Sequence, residues 1–251
     1  MNKAPLLSIS NLSFHYPGAR GNRNTLERIE LEIFEGDRIG MLGESGSGKT
    51  TLSLILAGLE RPSTGLFLFN GKRLLGRKAY RDYRKKIQYL FQDPMEAVNR
   101  YRKVFEIVSE PLTYRKTKKE AIVSIVSELL KTVGIDPLRW HDYPDQLSLG
   151  QIQRVCLARA MTTNPKILIC DEPFSALDVS NCGKMKEILL QLNANHGVTL
   201  FIISHEPKSL FKLCQKILVL HKGKIIELID TTRGQHAQHE YSRKLLEINT
   251  T

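Results

Sequence analysis

A glycine-rich run is the first place in this sequence where residue types and spacing can do chemistry. Gly43-Glu44-Ser45-Gly46-Ser47-Gly48-Lys49-Thr50 fits the phosphate-loop pattern G-x-x-x-x-G-K-[ST]. Glycines there let backbone N–H groups turn inward around phosphate oxygens, and a helix starting at the loop adds the positive end of its dipole. Lys49 is expected to neutralise the β- and γ-phosphates of a bound nucleotide, and the Thr50 hydroxyl to hold Mg²⁺. Thr51 is counted with the nucleotide-binding run. A second carboxylate site must complete such a centre. Ile167-Leu168-Ile169-Cys170-Asp171-Glu172 offers one, an apolar stretch ending in two acids. Asp171 at the end of the strand is expected to orient the metal, usually through water, and Glu172 to act as general base on the attacking water.

These groups need a scaffold that brings them to one edge. Arg38 to Leu42 is a short apolar run entering the glycine loop, and Leu52, Ile55, Leu56 and Leu59 beyond it form one helical stripe. Ile29 to Ile33 alternates as a half-buried strand does, and Leu66 to Phe69 ends in Asn70-Gly71, a tight-turn signal. From about Tyr101 to Tyr143 the pattern turns helical. Thr117 and Glu120 suggest a capping box ahead of Ile122, Ile125, Val126, Leu129 and Val133, with Gly134 and Pro137 closing the helix. Lys166 to Cys170, Val198 to Ile203 and Ile217 to Leu220 read as strands. Met185, Ile188, Leu189 and Leu192 make another helical stripe. The expected fold is α/β, interrupted by a helical subdomain, with antiparallel strands near the amino end. From Thr231 onward the tail is polar and expected to pack loosely, with a short helix at Ser242 to Ile248.

Composition narrows the class. A chain of 251 residues suits one domain with a sizeable insert. It contains no apolar run of the ~20 residues needed to cross a bilayer, and Met1 to Pro5 lacks a secretory signal's apolar core, so a cytoplasmic protein is expected. Cys156, Cys170, Cys182 and Cys214 lie scattered, without metal-ligand spacing, and read as reduced thiols. Formal net charge is +11, concentrated at Lys72, Arg73, Arg77, Lys78, Arg81, Arg84, Lys85 and Lys86. Such a stretch suits nucleic acid, anionic lipid, an acidic partner or simply a solvated face. No base-reading motif accompanies it, so a nucleic-acid partner is not expected.

Taken together, the loop and the Asp-Glu strand resemble those of an ABC ATPase, and five further elements follow in that family's order. Tyr16 in Phe14-His15-Tyr16 resembles the adenine-stacking aromatic. Gln92 in Phe91-Gln92-Asp93-Pro94 is similar to the Q-loop glutamine, which reaches Mg²⁺ and the attacking water. Leu147-Ser148-Leu149-Gly150-Gln151 resembles the signature, Ser175-Ala176-Leu177-Asp178 the D-loop, and His205 in Ser204-His205-Glu206 the switch histidine. The resemblance implies a phosphate-loop core with an antiparallel β subdomain and an inserted α-helical subdomain at about 95–160. It places one ATPase domain over 1–230 and a polar tail over 231–251. It makes ATP the substrate with Mg²⁺, and Glu172, His205 and Gln92 catalytic. Asp171, Thr50 and Gln92 would serve the metal. Tyr16, residues 43–51, Ser148, Gly150 and Gln151 would hold nucleotide. Ser148 and Gln151 also form a capping pattern whose helix start suits an anion. In this family that anion is the γ-phosphate on the opposite subunit.

A finer likeness is to peptide and nickel importers, carried by Phe91 to Asn99, Ile107 to Leu112 and Tyr241 to Leu246. Arg100 departs from the proline common in that group. The short end after Leu246 suits the nickel or metallophore branch, with His236 and His239 read as exposed tail. The implied partners are two integral membrane permease subunits, an extracytoplasmic solute-binding protein indirectly, and a second ABC ATPase subunit at the cytoplasmic face of the membrane. A non-transport cassette serving an enzyme complex is the alternative. Leu149 stands where the family usually has glycine. A left-handed backbone there would disfavour leucine, which points to a heterodimer.

Overall fold

Alternation builds the first layer. β1 (Leu7–Phe14) and β2 (Leu26–Ile33) pair antiparallel, with Ile29, Leu31 and Ile33 buried and Glu30 and Glu32 exposed, as the period of two requires. β3 (Arg38–Leu42) leads through the glycine loop into α1 (Lys49–Leu56). β4 (Thr64–Phe69) turns into β5 (Lys72–Arg73) through Asn70 and Gly71, both with positive φ (50° and 70°), the conformation of a tight hairpin. α2 (Gly76–Arg84), β6 (Ile87–Leu90), α3 (Val104–Tyr114), α4 (Lys119–Thr132) and α5 (Leu149–Met161) follow. β7 (Ile167–Asp171), α6 (Val179–His196), β8 (Thr199–Ile203), α7 (Pro207–Leu213), β9 (Lys216–His221), β10 (Lys224–Asp230) and α8 (Glu240–Ile248) complete the order. This computed structural model describes residues 4–16, 25–175, 177–234 and 237–248. Met1 to Lys3, Ala176 and His236, on which expectations above rest, lie outside them.

Two sheets are present among the described residues, an antiparallel one ordered β2-β1-β4-β5 and a larger one ordered β10-β9-β3-β8-β7-β6. In the larger sheet all pairs are parallel except the β9–β10 hairpin. Its strands read as continuous apolar runs because both faces are covered. In β7, Ile167 and Ile169 join the core shared with α1 and the antiparallel sheet, while Leu168 and Cys170 join the core beneath α3–α6. Burying four such side chains contributes on the order of 2 kcal/mol each. The buried cysteines Cys156, Cys170 and Cys214 share this environment: burial pushes the Cys156 thiol up to about 11 and the Cys214 thiol up to about 12. They are protonated and unreactive at neutral pH. No metal-binding cluster of His, Cys, Asp and Glu occurs among the described residues.

Local expectations fail in three places. α1 stops at Leu56, where Ala57 caps it and Gly58 turns left-handed (φ 69°), so Leu59 leaves the stripe and is exposed. α4 is capped by Lys118 without a side-chain bond, and Thr117 takes no capping role. Its other end is as expected, with Gly134 left-handed (φ 68°) just past the helix. There the buried Arg154 of α5 donates to the Val133 and Gly134 carbonyls, joining α4 to the start of α5. The third correction is the tail. α8 is docked, not loose: Ser242 is fully buried and Leu245 is nearly so. All eight cations of the basic stretch from Lys72 to Lys86 are exposed, while Tyr80 and Tyr83 of α2 face inward.

Candidate nucleotide site

Register brings the chemistry together. Met41 of β3 and Asp171 of β7 both lie level with Ile203 of β8, so three parallel strands end at one edge. Ligands of open α/β sheets bind at such carboxyl ends. The phosphate loop leaves β3, Asp171 and Glu172 leave β7, and His205 follows β8. They share a cleft of about 450 Å³ whose lining includes Glu44, Lys49, Thr50, Gln92, Glu172 and His205. Gln92 and Asp171, which come from distant parts of the sequence, are both in it.

The loop is shaped as a cradle. Gly46 and Gly48 take positive φ (77° and 106°), which lets it fold over the start of α1. A Cβ on Gly43 would run into the Leu220 carbonyl oxygen and come within 2.6 Å of Ser47 Oγ. The Ser47 hydroxyl is buried without a partner. Lys49 Nζ spans the loop, donating to the Gly43 and Glu44 carbonyls at 2.7 and 2.8 Å. Burial pulls its ammonium below the usual lysine value, against the opposing pull of Glu172, Asp171 and Glu44. A half-buried cation inside a ring of backbone, with an orphaned hydroxyl beside it, fits phosphate oxygens. Ser45 and Thr50 are exposed at the mouth. Thr51, by contrast, is buried, and its hydroxyl lies 3.3 Å from Tyr16 Oη. Tyr16 is 41% exposed and packs edge-on to Phe14, leaving ring surface open near α1.

Glu172 sits in a backbone conformation unusual for its type, with φ 48°. Its N–H donates to the Ile203 carbonyl, extending the β7–β8 ladder by one bond before the chain turns away. The carboxylate is largely enclosed, and His205 Nδ1 lies 2.9 Å from its Oε2. Asp171 accepts a 2.7 Å bond from the Tyr89 hydroxyl, which also meets Ser53 Oγ at 3.0 Å. Burial raises the Tyr89 phenol far above its ordinary value, so it stays protonated and able to donate. Tyr89 was not anticipated. Its signal, a tyrosine inside a strand three residues before Gln92, is shared by many tyrosines that only pack.

Ser148, Gly150 and Gln151 do not line this cleft. They form the first turn of α5, where Ser148 Oγ accepts from the Gln151 N–H and Gln151 Oε1 accepts from the Ser148 N–H. The serine oxygen is thus engaged, leaving its proton to offer. Gly150 leaves room for a neighbour, since a Cβ there would sit 3.1 Å from Asn181 Cγ, closer than an ordinary contact. Asn181 in turn bonds Asp178, the cap of α6. Leu149 corrects an expectation: it is the first residue of a regular helix, and positive φ is absent from it. The backbone argument against leucine therefore lapses, and what remains is a side chain 37% exposed on that turn.

The profile described as ABC transporter matches residues 26–175. Curated relatives include the nickel import ATP-binding protein NikE of Rhodospirillum rubrum, 35% identical over 96% of this chain and 90% of the relative. The oligopeptide transport ATP-binding protein OppF of Bacillus subtilis is 34% identical over 96% and 81%. Among solved structures, cbiO1 of Clostridium perfringens, part of the ABC transporter complex cbiONQ, superposes with a TM-score of 0.86 at 26% identity, covering 99% of this chain and 96% of that one. The dimeric ATP-binding cassette MJ0796, bound to ADP and phosphate, gives 0.81 at 27% identity over 90% and 98%. The chain belongs to the ABC transporter family, as one of its ATP-binding and ATP-hydrolysing subunits.

Proposed function

We propose that this subunit powers an importer of nickel, metal chelates or oligopeptides, as half of a nucleotide-sandwich dimer seated on two membrane permease subunits. The relatives named for nickel and oligopeptide transport support the cargo class. The carrying observation is the separation of functions: the cleft gathers Lys49, Thr50, Asp171, Glu172 and His205, while the turn at Ser148 lies outside it. Such a half-site needs a second cassette. No helix among the described residues is long and apolar enough to cross a membrane, which suits a peripheral subunit at the cytoplasmic face, served indirectly by an extracytoplasmic binding protein. On this reading residues 1–230 are the ATPase domain, 95–160 its helical insert and 231–251 an extension. Isolation of the native complex tests it: permease subunits and a bound metal chelate or peptide should co-purify. Recovery with a soluble enzyme instead would overturn it.

In the reaction, water attacks the γ-phosphorus, the bond to the ADP oxygen breaks, and Glu172 takes the water's proton. His205 holds Oε2 of that carboxylate and keeps it aimed. Lys49 and the loop N–H groups hold the phosphates, Tyr16 offers its ring to adenine, and Thr51 anchors Tyr16. Mg²⁺, when bound, offsets phosphate charge; Thr50, Asp171 and Gln92 are the residues that would hold it. Tyr89 then acts as a positioning residue through Asp171. Tyr89→Phe should lower turnover about tenfold or more and raise the Mg²⁺ concentration needed for half-maximal rate, because an outer partner of a metal ligand is lost. An unchanged Mg²⁺ titration would remove Tyr89 from the site.

A heterodimer remains the favoured pairing. Leu149 adds bulk where the turn at Ser148 would meet the partner's phosphates, and two copies of this chain would carry it twice. Leu149→Gly should speed hydrolysis at the partner's loop and leave the site of Lys49 and Glu172 unchanged, at a folding cost of at most about 1 kcal/mol. Rates measured with each catalytic glutamate disabled in turn decide this. Equal rates at both sites, indifferent to the substitution, would sink the asymmetry.

A further inference from the structure

Among the described residues α8 and its approach are joined to the rest of the molecule at several points, one of which is the nucleotide cleft. Its approach is fastened to β10, where the Glu227 carboxylate accepts from the N–H groups of Gln238 (2.6 Å) and His239 (3.3 Å). Burial works to raise that carboxyl, but the adjacent Ser242 hydroxyl and the N–H groups of Gln238 and His239 outweigh it and leave it below the usual range. It is therefore charged, and a charged acceptor makes the stronger tether. One turn on, Tyr241 packs against the His221 ring at the end of β9, centroids 3.9 Å apart. Its buried hydroxyl lies within electrostatic reach of Glu44 in the phosphate loop, without a hydrogen bond of standard geometry. One turn further, Leu245 lines the cleft beside Gly43, Glu44, Ser45 and Lys49. The other apolar side chains of that lining, Leu42 and Ile203, are the ends of β3 and β8 and form its floor. Leu245 is the apolar wall that comes from outside the sheet.

We propose that α8 is a wall of the nucleotide cleft and that Leu245 is a positioning residue for the phosphates. A buried leucine against the loop keeps water from that side, and charges interact more strongly where water is excluded. Lys49 is then held against phosphate oxygens in a drier setting than the loop alone provides. The inference rests on the reading of this cleft as the ATP site.

Two substitutions of opposite charge at one position test it. Leu245→Asp and Leu245→Lys cost comparable packing, and thermal melting of both variants measures that cost. If Leu245 faces the phosphates, the aspartate should weaken binding of a fluorescent ATP analogue by about tenfold, and the lysine clearly less, because its positive charge offsets part of what is lost when water is admitted. Equal affinities in the two variants, whether both normal or both weakened, would overturn the proposal, because packing alone ignores the sign of a charge. Lys49→Ala separates this from failure of the site reading. A wild-type chain that does not bind the analogue, or a Lys49→Ala chain that binds it as well as wild type, would sink the ATP site itself. Normal wild-type binding, loss in Lys49→Ala and no difference between the Leu245 variants would sink only the role of α8.

Discussion

Glu172→Gln is expected to bind ATP as the wild type does and to hydrolyse it on the order of 10² to 10⁴-fold more slowly, the usual range for loss of a general base. The side chains are nearly the same size, and the amide oxygen can still accept from His205 Nδ1, which now stands 2.9 Å from Oε2. The loop, Lys49 and the carbonyls it bonds are untouched, so the phosphate cradle survives. What disappears is a group that can take a proton from water. Binding is read by calorimetry and turnover in the assembled transporter, since the half-site does not work alone. A variant hydrolysing ATP at close to the wild-type rate would show that the proton goes elsewhere.

Lys49→Ala should fail in the opposite way, at binding. The ammonium is half-buried and held by two backbone carbonyls, so little reorganisation is needed to present it to phosphate. A hydrogen bond to a charged group contributes about 1.5–3 kcal/mol, which predicts roughly 10- to 150-fold weaker ATP affinity. Loss of the two loop bonds should also lower the melting temperature of the nucleotide-free protein. Melting and calorimetry together separate the causes: the melting shift is present without nucleotide, whereas the lost charge appears only with it. Unchanged ATP affinity would remove Lys49 from the phosphates.

Much of the site could be read residue by residue. The phosphate loop is a contiguous run whose chemistry is in its own backbone and one lysine, and the apolar strands announce themselves because both faces of a parallel sheet are covered. The hairpin at Asn70-Gly71 and the stop at Gly134 were equally legible, each depending on one residue that tolerates positive φ. Errors came where a local signal had a competitor. Gly58 ended α1 ahead of Leu59, and Lys118 took the cap from Thr117.

What the sequence determined by itself is the set of reacting groups, because phosphate binding, metal binding and proton transfer depend on residue type over spans of a few residues. Only the tertiary structure decided how those groups meet. Glu172 and His205 are 33 residues apart and touch because β7 and β8 are neighbours in register. Tyr89 reaches Asp171 across 82 residues, and Leu245, near the far end of the sequence, lines the same cleft as the phosphate loop. The conformation of Leu149 likewise came from the helix it begins. These relations depend on strand order and on docking, which arise from burial of surfaces far apart in sequence, and no short pattern encodes them.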